Sequence, residues 1–214
     1  MSWVKAGFDV LGQRVLWTDL VGNAAALGTV WLAMRKTIWT WPVQLFGSVL
    51  LFTASVGAHV TGNALKQALF GLLAVWGWYR WSRGARDEGG LPIRTATARE
   101  RAVLVAVTAA GTVAVALLFQ LLNARGLNIS WAPWPDAYIF VGSAAATWAQ
   151  GRALVDFWVI WVAVDVVGVP LTFASHLVVS GLVYGLFLLM VIAGFRNWLS
   201  QSRTRVQAAQ AVRV

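Results

Sequence analysis

The chain has 214 residues, of which 59% are hydrophobic and 12% charged, with 14 tryptophans, no cysteine and a net charge of +9. Soluble domains carry about twice that share of charged residues, so the composition is that of a membrane protein. The lack of cysteine excludes disulfides, thiolate metal sites and thiol catalysis.

Residues 1–18 form a short N-terminal segment, MSWVKAGFDVLGQRVLWT. It has no apolar stretch followed by a small-residue cleavage site, so no cleaved signal peptide is expected. Apolar runs then recur at 19–36, 41–59 and 62–81, at 101–122, and at 136–153, 157–175 and 178–198. Each is close to the ~20 residues a helix needs to cross a hydrocarbon core of about 30 Å. Helices are the expected form, because backbone facing lipid must satisfy its own hydrogen bonds. No run shows the sustained two-residue alternation of a barrel strand. The expected organisation is a first three-helix unit (19–81), a basic linker (82–100), a linker helix (101–122), a second three-helix unit (136–198) and a basic tail (199–214).

With seven spans the termini lie on opposite sides. One side receives Arg35, Lys36, Arg80, Arg83, Arg86, Arg94, Arg99, Arg101, Arg152, Arg196, Arg203, Arg205 and Arg213. The other receives Lys5, Arg14 and Arg125, while Lys66 lies within a span and is expected to snorkel to the interface. Basic residues collect on the cytoplasmic side. The expectation is therefore an outer N-terminus and a cytoplasmic C-terminus. Placed this way, the positive charge reads as membrane topology rather than as a nucleic-acid surface.

An offset of 117 residues lays 17–81 on 134–198 without a gap, with 13 identities in 65 positions. The pairs include Trp17 with Trp134, Asp19 with Asp136, Trp31 with Trp148, Arg35 with Arg152, Trp41 with Trp158, His59 with His176, Gly77 with Gly194 and Trp81 with Trp198. Four matched tryptophans at one offset are far more than chance supplies. A three-span repeat is odd, so a direct second copy would be inverted; the intervening span restores its direction. The fold class expected is all-α, with seven transmembrane helices as two parallel three-helix repeats joined by one linker helix. This is a three-one-three, SWEET-like arrangement of the kind transporters use, with a site near mid-membrane.

Polar groups inside the spans are the candidate binding residues: Asn23, Gln44, Asn63, Gln67, Asp165 and Tyr184. A polar group in hydrocarbon is costly and is retained to face a partner or a pathway. Gln44 and Asp165 fall in the second span of their copies, and Gln67 is matched by Tyr184. Most tryptophans sit near span ends, as an aromatic belt requires. Trp41, Trp78, Trp158 and Trp161 cluster with Gln44 and Asp165 in sequence, so they are also candidates to stack on a flat heteroaromatic ligand. His59 and His176 read as interfacial or packing residues. No metal-ligand, nucleotide-binding or nucleophile-elbow motif is present. No catalytic residues, metal or cofactor are expected. Asp156 and Asp165, nine residues apart, fall on opposite helix faces. Pro170, after Gly168, is a candidate hinge or kink.

The stretch NALKQALFGLLAVWGWYRW (63–81) resembles the PnuC family of bacterial vitamin transporters, with Gln67 early in the span and Trp76-Gly77-Trp78 near its end. DFWVIWVAVDVVGVPLTF (156–173) and GFRNW (194–198) agree, and the resemblance covers nearly the whole chain. It implies the three-one-three arrangement, a homotrimer in the bacterial plasma membrane, and facilitated uptake of nicotinamide riboside, thiamine or riboflavin. Phosphorylation inside the cell would drive net uptake. The nicotinamide riboside branch tends to carry W-N-x-x-W, and here Trp158-Val159-Ile160-Trp161 keeps the tryptophans without the Asn. The opening of the chain and WPDAYIFVGS (134–143) look more like the actinobacterial riboflavin transporters. The resemblance thus implies riboflavin as substrate, with nicotinamide riboside as the alternative. The residues expected to bind it are the candidates already named, Asn23, Trp41, Gln44, Gln67, Trp78, Trp158, Trp161, Asp165 and Tyr184.

Overall fold

The computed structural model describes residues 7–10, 13–57, 61–84, 93–174 and 178–211. Seven helices occupy the seven apolar runs: α1 (Trp17–Met34), α2 (Thr40–Gly57), α3 (Thr61–Gly84), α4 (Ala98–Ala124), α5 (Pro133–Gly151), α6 (Phe157–Ala174) and α7 (Val178–Ala211). Helix α7 continues well past residue 198, so most of the basic tail is helical. Pro170 lies inside α6, which runs on through it. One element was not anticipated: an antiparallel hairpin of β1 (Gly7–Val10) and β2 (Gln13–Leu16) precedes α1. Its register sets Gly7 opposite Leu16 and Asp9 opposite Arg14.

The chain divides into two compact units, 1–82 and 83–214. In the first, α1 packs on α2. The contact is close because its residues are small. A Cβ on Gly22 would lie 2.6 Å from Leu51, and one on Gly47 would lie 3.3 Å from Ala25. Helix α3 joins through aromatic packing. The Trp41 ring fills the space a side chain at Gly77 would need, and it meets Trp81 edge-on with centroids 5.2 Å apart.

In the second unit α4, α5, α6 and α7 pack consecutively. Helix α4 opens with a capping box. Thr97 Oγ1 accepts from the Glu100 backbone N–H, and the Glu100 carboxylate accepts from the Thr97 N–H. It closes with Gly126 in the left-handed region (φ 84°), where the Gly126 and Leu127 N–H groups bond back to Asn123 and Leu122. Only 11% of the most apolar window of α4 is buried within the protein. A core helix of a soluble domain would be mostly covered, so this surface is suited to lipid. Among the described residues α4 is the one helix long and apolar enough by itself to cross a membrane; α1, α2 and α6 contain shorter apolar stretches.

The second unit repeats the local geometry of the first at the same offset of 117. Trp158 fills the space beside Gly194, whose Cβ would lie 2.5 Å from the ring, and it meets Trp198 edge-on at 6.0 Å. The turns after α1 and α5 are also alike. Lys36 and Ala153 both adopt positive φ (57° and 55°). Thr37 N–H bonds to Leu32 and Leu154 N–H to Ala149, the six-to-one bond that ends a helix in this motif. Arg35 stacks over Trp31 at 4.2 Å, and Arg152 over Trp148 at 5.1 Å.

Candidate functional site

The second unit brings together three of the nine expected binding residues. Trp161, Asp165 and Gly168 follow one another at four and three residues on α6, which sets them on one helix face. Gly168 has no side chain, so Tyr184 of α7 approaches it; a Cβ there would lie 3.3 Å from Tyr184 Cε1. Tyr184 lies within electrostatic reach of Asp165 first and of Asp136 second. Asp165 is buried, and its Oδ2 has no hydrogen-bond partner among the described residues. A buried carboxylate oxygen in that state costs several kcal/mol unless a ligand or a proton satisfies it. Asp165 therefore holds an open acceptor for an N–H or O–H donor, Tyr184 offers a hydroxyl, and Trp161 a half-buried flat ring.

The first unit places Gln44 and Ser48 one turn apart on α2, the same positions that Trp161 and Asp165 hold on α6. Gln44 is half-buried and Ser48 buried. Gln67, on α3, is 8% exposed. Both amides are thus placed inside apolar helices, where a donor or acceptor is retained to meet a partner. Ser48 escaped the sequence reading because a serine in a helix ordinarily bonds its own backbone; its alignment with Asp165 was the available signal.

Trp41 and Trp158 stand apart from this group. Both are wholly buried by aromatic packing on α3 and α7. They present no free ring face, and each indole Nε1 lacks a partner among the described residues. Trp78 is 41% exposed on α3. The Asn23 and Asn63 side chains, and His59 and His176 altogether, lie outside the described residues.

A second constellation, absent from the sequence reading, closes the turn between α5 and α6. Residues 93–97 run beside that turn as a strap. Arg94 bridges to Leu154 through Arg94 N–H to Ala153 O at 3.3 Å and Val155 N–H to Arg94 O at 2.9 Å. Asp156 accepts from Ala96 N–H and from Arg101 Nε, both at 2.6 Å. Glu100 binds Arg94 through both oxygens (2.6 and 2.7 Å) and reaches Arg152 at 3.4 Å. Charge-assisted and bidentate bonds are the strong ones. The strap thus fixes the start of α4 to the start of α6. At the other end of α4, Asn123 pins the loop that leads to α5. Its Oδ1 accepts from Ile129 and Ser130 N–H, and Ser130 Oγ in turn bonds the Asp136 carboxylate.

In the second unit a carboxyl, a hydroxyl and a flat ring thus lie on apolar helices, a set suited to a small polar aromatic solute. The comparisons with known proteins give the family. A family model described as nicotinamide mononucleotide transporter matches residues 16–200. The chain belongs to this family. It is 45% identical over 206 residues to the riboflavin/roseoflavin transporter RibM of Streptomyces davaonensis, covering 95% of this chain and 94% of that protein. It is 24% identical over 214 residues to the nicotinamide riboside transporter PnuC of Escherichia coli, covering 91% and 90%. The crystal structure of the vitamin B3 transporter PnuC superposes with a TM-score of 0.69 at 18% identity, over 88% of this chain and 83% of that one. The shared fold is thus that of a transporter family.

Proposed function

We propose that the chain is a plasma-membrane transporter of riboflavin and flavin analogues, working by facilitated diffusion. Phosphorylation of the flavin inside the cell would keep the gradient inward. One observation carries the substrate: the 45% identity, across 95% of the chain, to a riboflavin/roseoflavin transporter, against 24% to the nicotinamide riboside transporters. The described side chains fit a flavin. The half-buried Trp161 ring can stack on the isoalloxazine, a contact worth about 1–3 kcal/mol. Asp165 accepts from a ring N–H or a ribityl hydroxyl, and the Tyr184 hydroxyl serves a further polar edge. Asn23, Gln44, Gln67 and Trp78 are proposed from the sequence as further binding residues. Trp41 and Trp158 enter this reading as the packing that holds these helices in place.

The architecture proposed is three-one-three with parallel repeats, assembled as a homotrimer. The 117-residue repeat and its recurring turns support the repeats, and the family resemblance supports the trimer. The thirteen-to-three distribution of basic residues supports an outer N-terminus and a cytoplasmic C-terminus. Because the chain has no cysteine, single-cysteine labelling tests the orientation without background. An impermeant thiol reagent added to intact cells should label Leu127→Cys and leave Arg203→Cys unlabelled; the reverse pattern would overturn the orientation. Substrate is tested by uptake in cells unable to make riboflavin. Expression should restore growth on low external riboflavin, and accumulation of nicotinamide riboside alone would reassign the substrate.

A further inference from the structure

Between the strap, α4, α6 and α7 the second unit carries an open cavity of about 440 Å³. Its walls are apolar: Leu104 and Val105 from α4, Val159 and Ile160 from α6, Phe195 and Leu199 from α7. Its rim is polar, with Thr95, Arg101 and Asp156. Each oxygen of the Asp156 carboxylate already accepts one bond, from Ala96 N–H and from Arg101 Nε. Arg101 uses only that Nε; both its Nη groups make no hydrogen bond among the described residues, and its side chain is 57% exposed. An arginine with a free fork is the group that binds a phosphate oxygen pair. The walls lead outward: Val105 and Val159 are both exposed, on the apolar face of α4 and the adjoining face of α6. The trough therefore opens sideways onto surface suited to lipid, with the open Nη fork of the ion-paired Arg101 at one end.

We propose that this groove holds one anionic phospholipid, its phosphate on the Arg101 Nη fork and an acyl chain along Leu104, Val105 and Val159. This goes beyond the transport reading and does not depend on which solute is carried. Charge complementarity selects the occupant. The nearby charges, Arg94, Arg101 and Arg152 against Glu100 and Asp156, leave a net positive rim. Free phosphate would match the rim and leave the apolar walls unused.

The test is native mass spectrometry of the purified full-length chain, equilibrated with phosphatidylglycerol and phosphatidylcholine of equal chain length. One phosphatidylglycerol should remain per chain, preferred about fivefold, the ratio expected from one arginine near a phosphate. Arg101→Gln should bring retention down to the phosphatidylcholine level. Val105→Trp, at an exposed wall that the ion pairs do not touch, should release both lipids while leaving the unfolding temperature unchanged. Equal retention of the two lipids by the unaltered chain overturns the proposal without any variant. So does retention that survives Val105→Trp, or displacement of the lipid by inorganic phosphate alone. A change of oligomeric mass in Val105→Trp would assign the groove to a second copy instead, and would also overturn it.

Discussion

The α1–α2 turn and the α5–α6 turn have the same backbone and different surroundings. Both end their first helix with a left-handed residue, Lys36 or Ala153, and both start the next with the same set of bonds, Thr40 and Trp41 N–H in one, Phe157 and Trp158 N–H in the other. The second turn is held by the strap: Val155 N–H bonds to Arg94, and Asp156 ties down Ala96 and Arg101. In the first turn Asp156 is replaced by Trp39, which is 65% exposed, and Leu154 by Thr37, whose buried hydroxyl has no partner among the described residues. A repeat can thus conserve backbone geometry while giving one copy a fixed end that has no counterpart among the described residues of the other.

The comparison is broken most severely where the copies are most alike. Gly77→Val and Gly194→Val both drive a side chain into a buried tryptophan ring. Each should cost about 3 kcal/mol, and the two should be nearly equal. Thermal unfolding in detergent checks this, and a large inequality would mean the two Trp–Gly contacts are not equivalent. The strap comes next. Asp156→Asn removes the charge that Ala96 N–H and Arg101 bind and should cost about 2 kcal/mol. Hydrogen exchange at Val155 and Ala96 should quicken with it. Trp39→Asp, the matching change in the first turn, should stay within about 0.5 kcal/mol, because Trp39 is exposed.

A smaller effect tests the packing between paired helices. The first copy sets Ala25 against Gly47, and the second sets Gly142 against Val164; Gly22 against Leu51 becomes Ile139 against Gly168. Large and small have changed sides while the close approach is kept. Gly142→Ala with Val164→Gly should therefore be less destabilising than the sum of the single changes, with a coupling of about 1 kcal/mol or more. Additive losses would show that the sides do not compensate. Another small effect is a gain. Thr37→Val removes the orphan hydroxyl and should stabilise by about 0.5–1 kcal/mol, read as a higher unfolding temperature.

The helices were legible because apolar runs of membrane length have few other folds available. The size exchanges were not, since each appears in the alignment as two mismatches. The strap was hidden for another reason. Its contacts join residues about 60 apart in sequence, such as Ala96 and Asp156, and only the Thr97–Glu100 capping box left a local sign. The hairpin at 7–16 is too short and too weakly alternating to stand out. Within the site, spacing sufficed to put Trp161 and Asp165 on one face. For Trp41 and Trp158 the deciding residues were Gly77 and Gly194, matched across the repeat, which make room for the rings within each unit.

The most direct test of the central claim is a titration of the purified protein with riboflavin, followed by quenching of flavin fluorescence, with nicotinamide riboside and thiamine as competitors. The expected result is saturable quenching that neither competitor reverses, weakened roughly 5- to 150-fold by Trp161→Ala, the range that stacking energies imply. No quenching by riboflavin, with heat evolved on adding nicotinamide riboside, would contradict the assignment of a flavin to this chain.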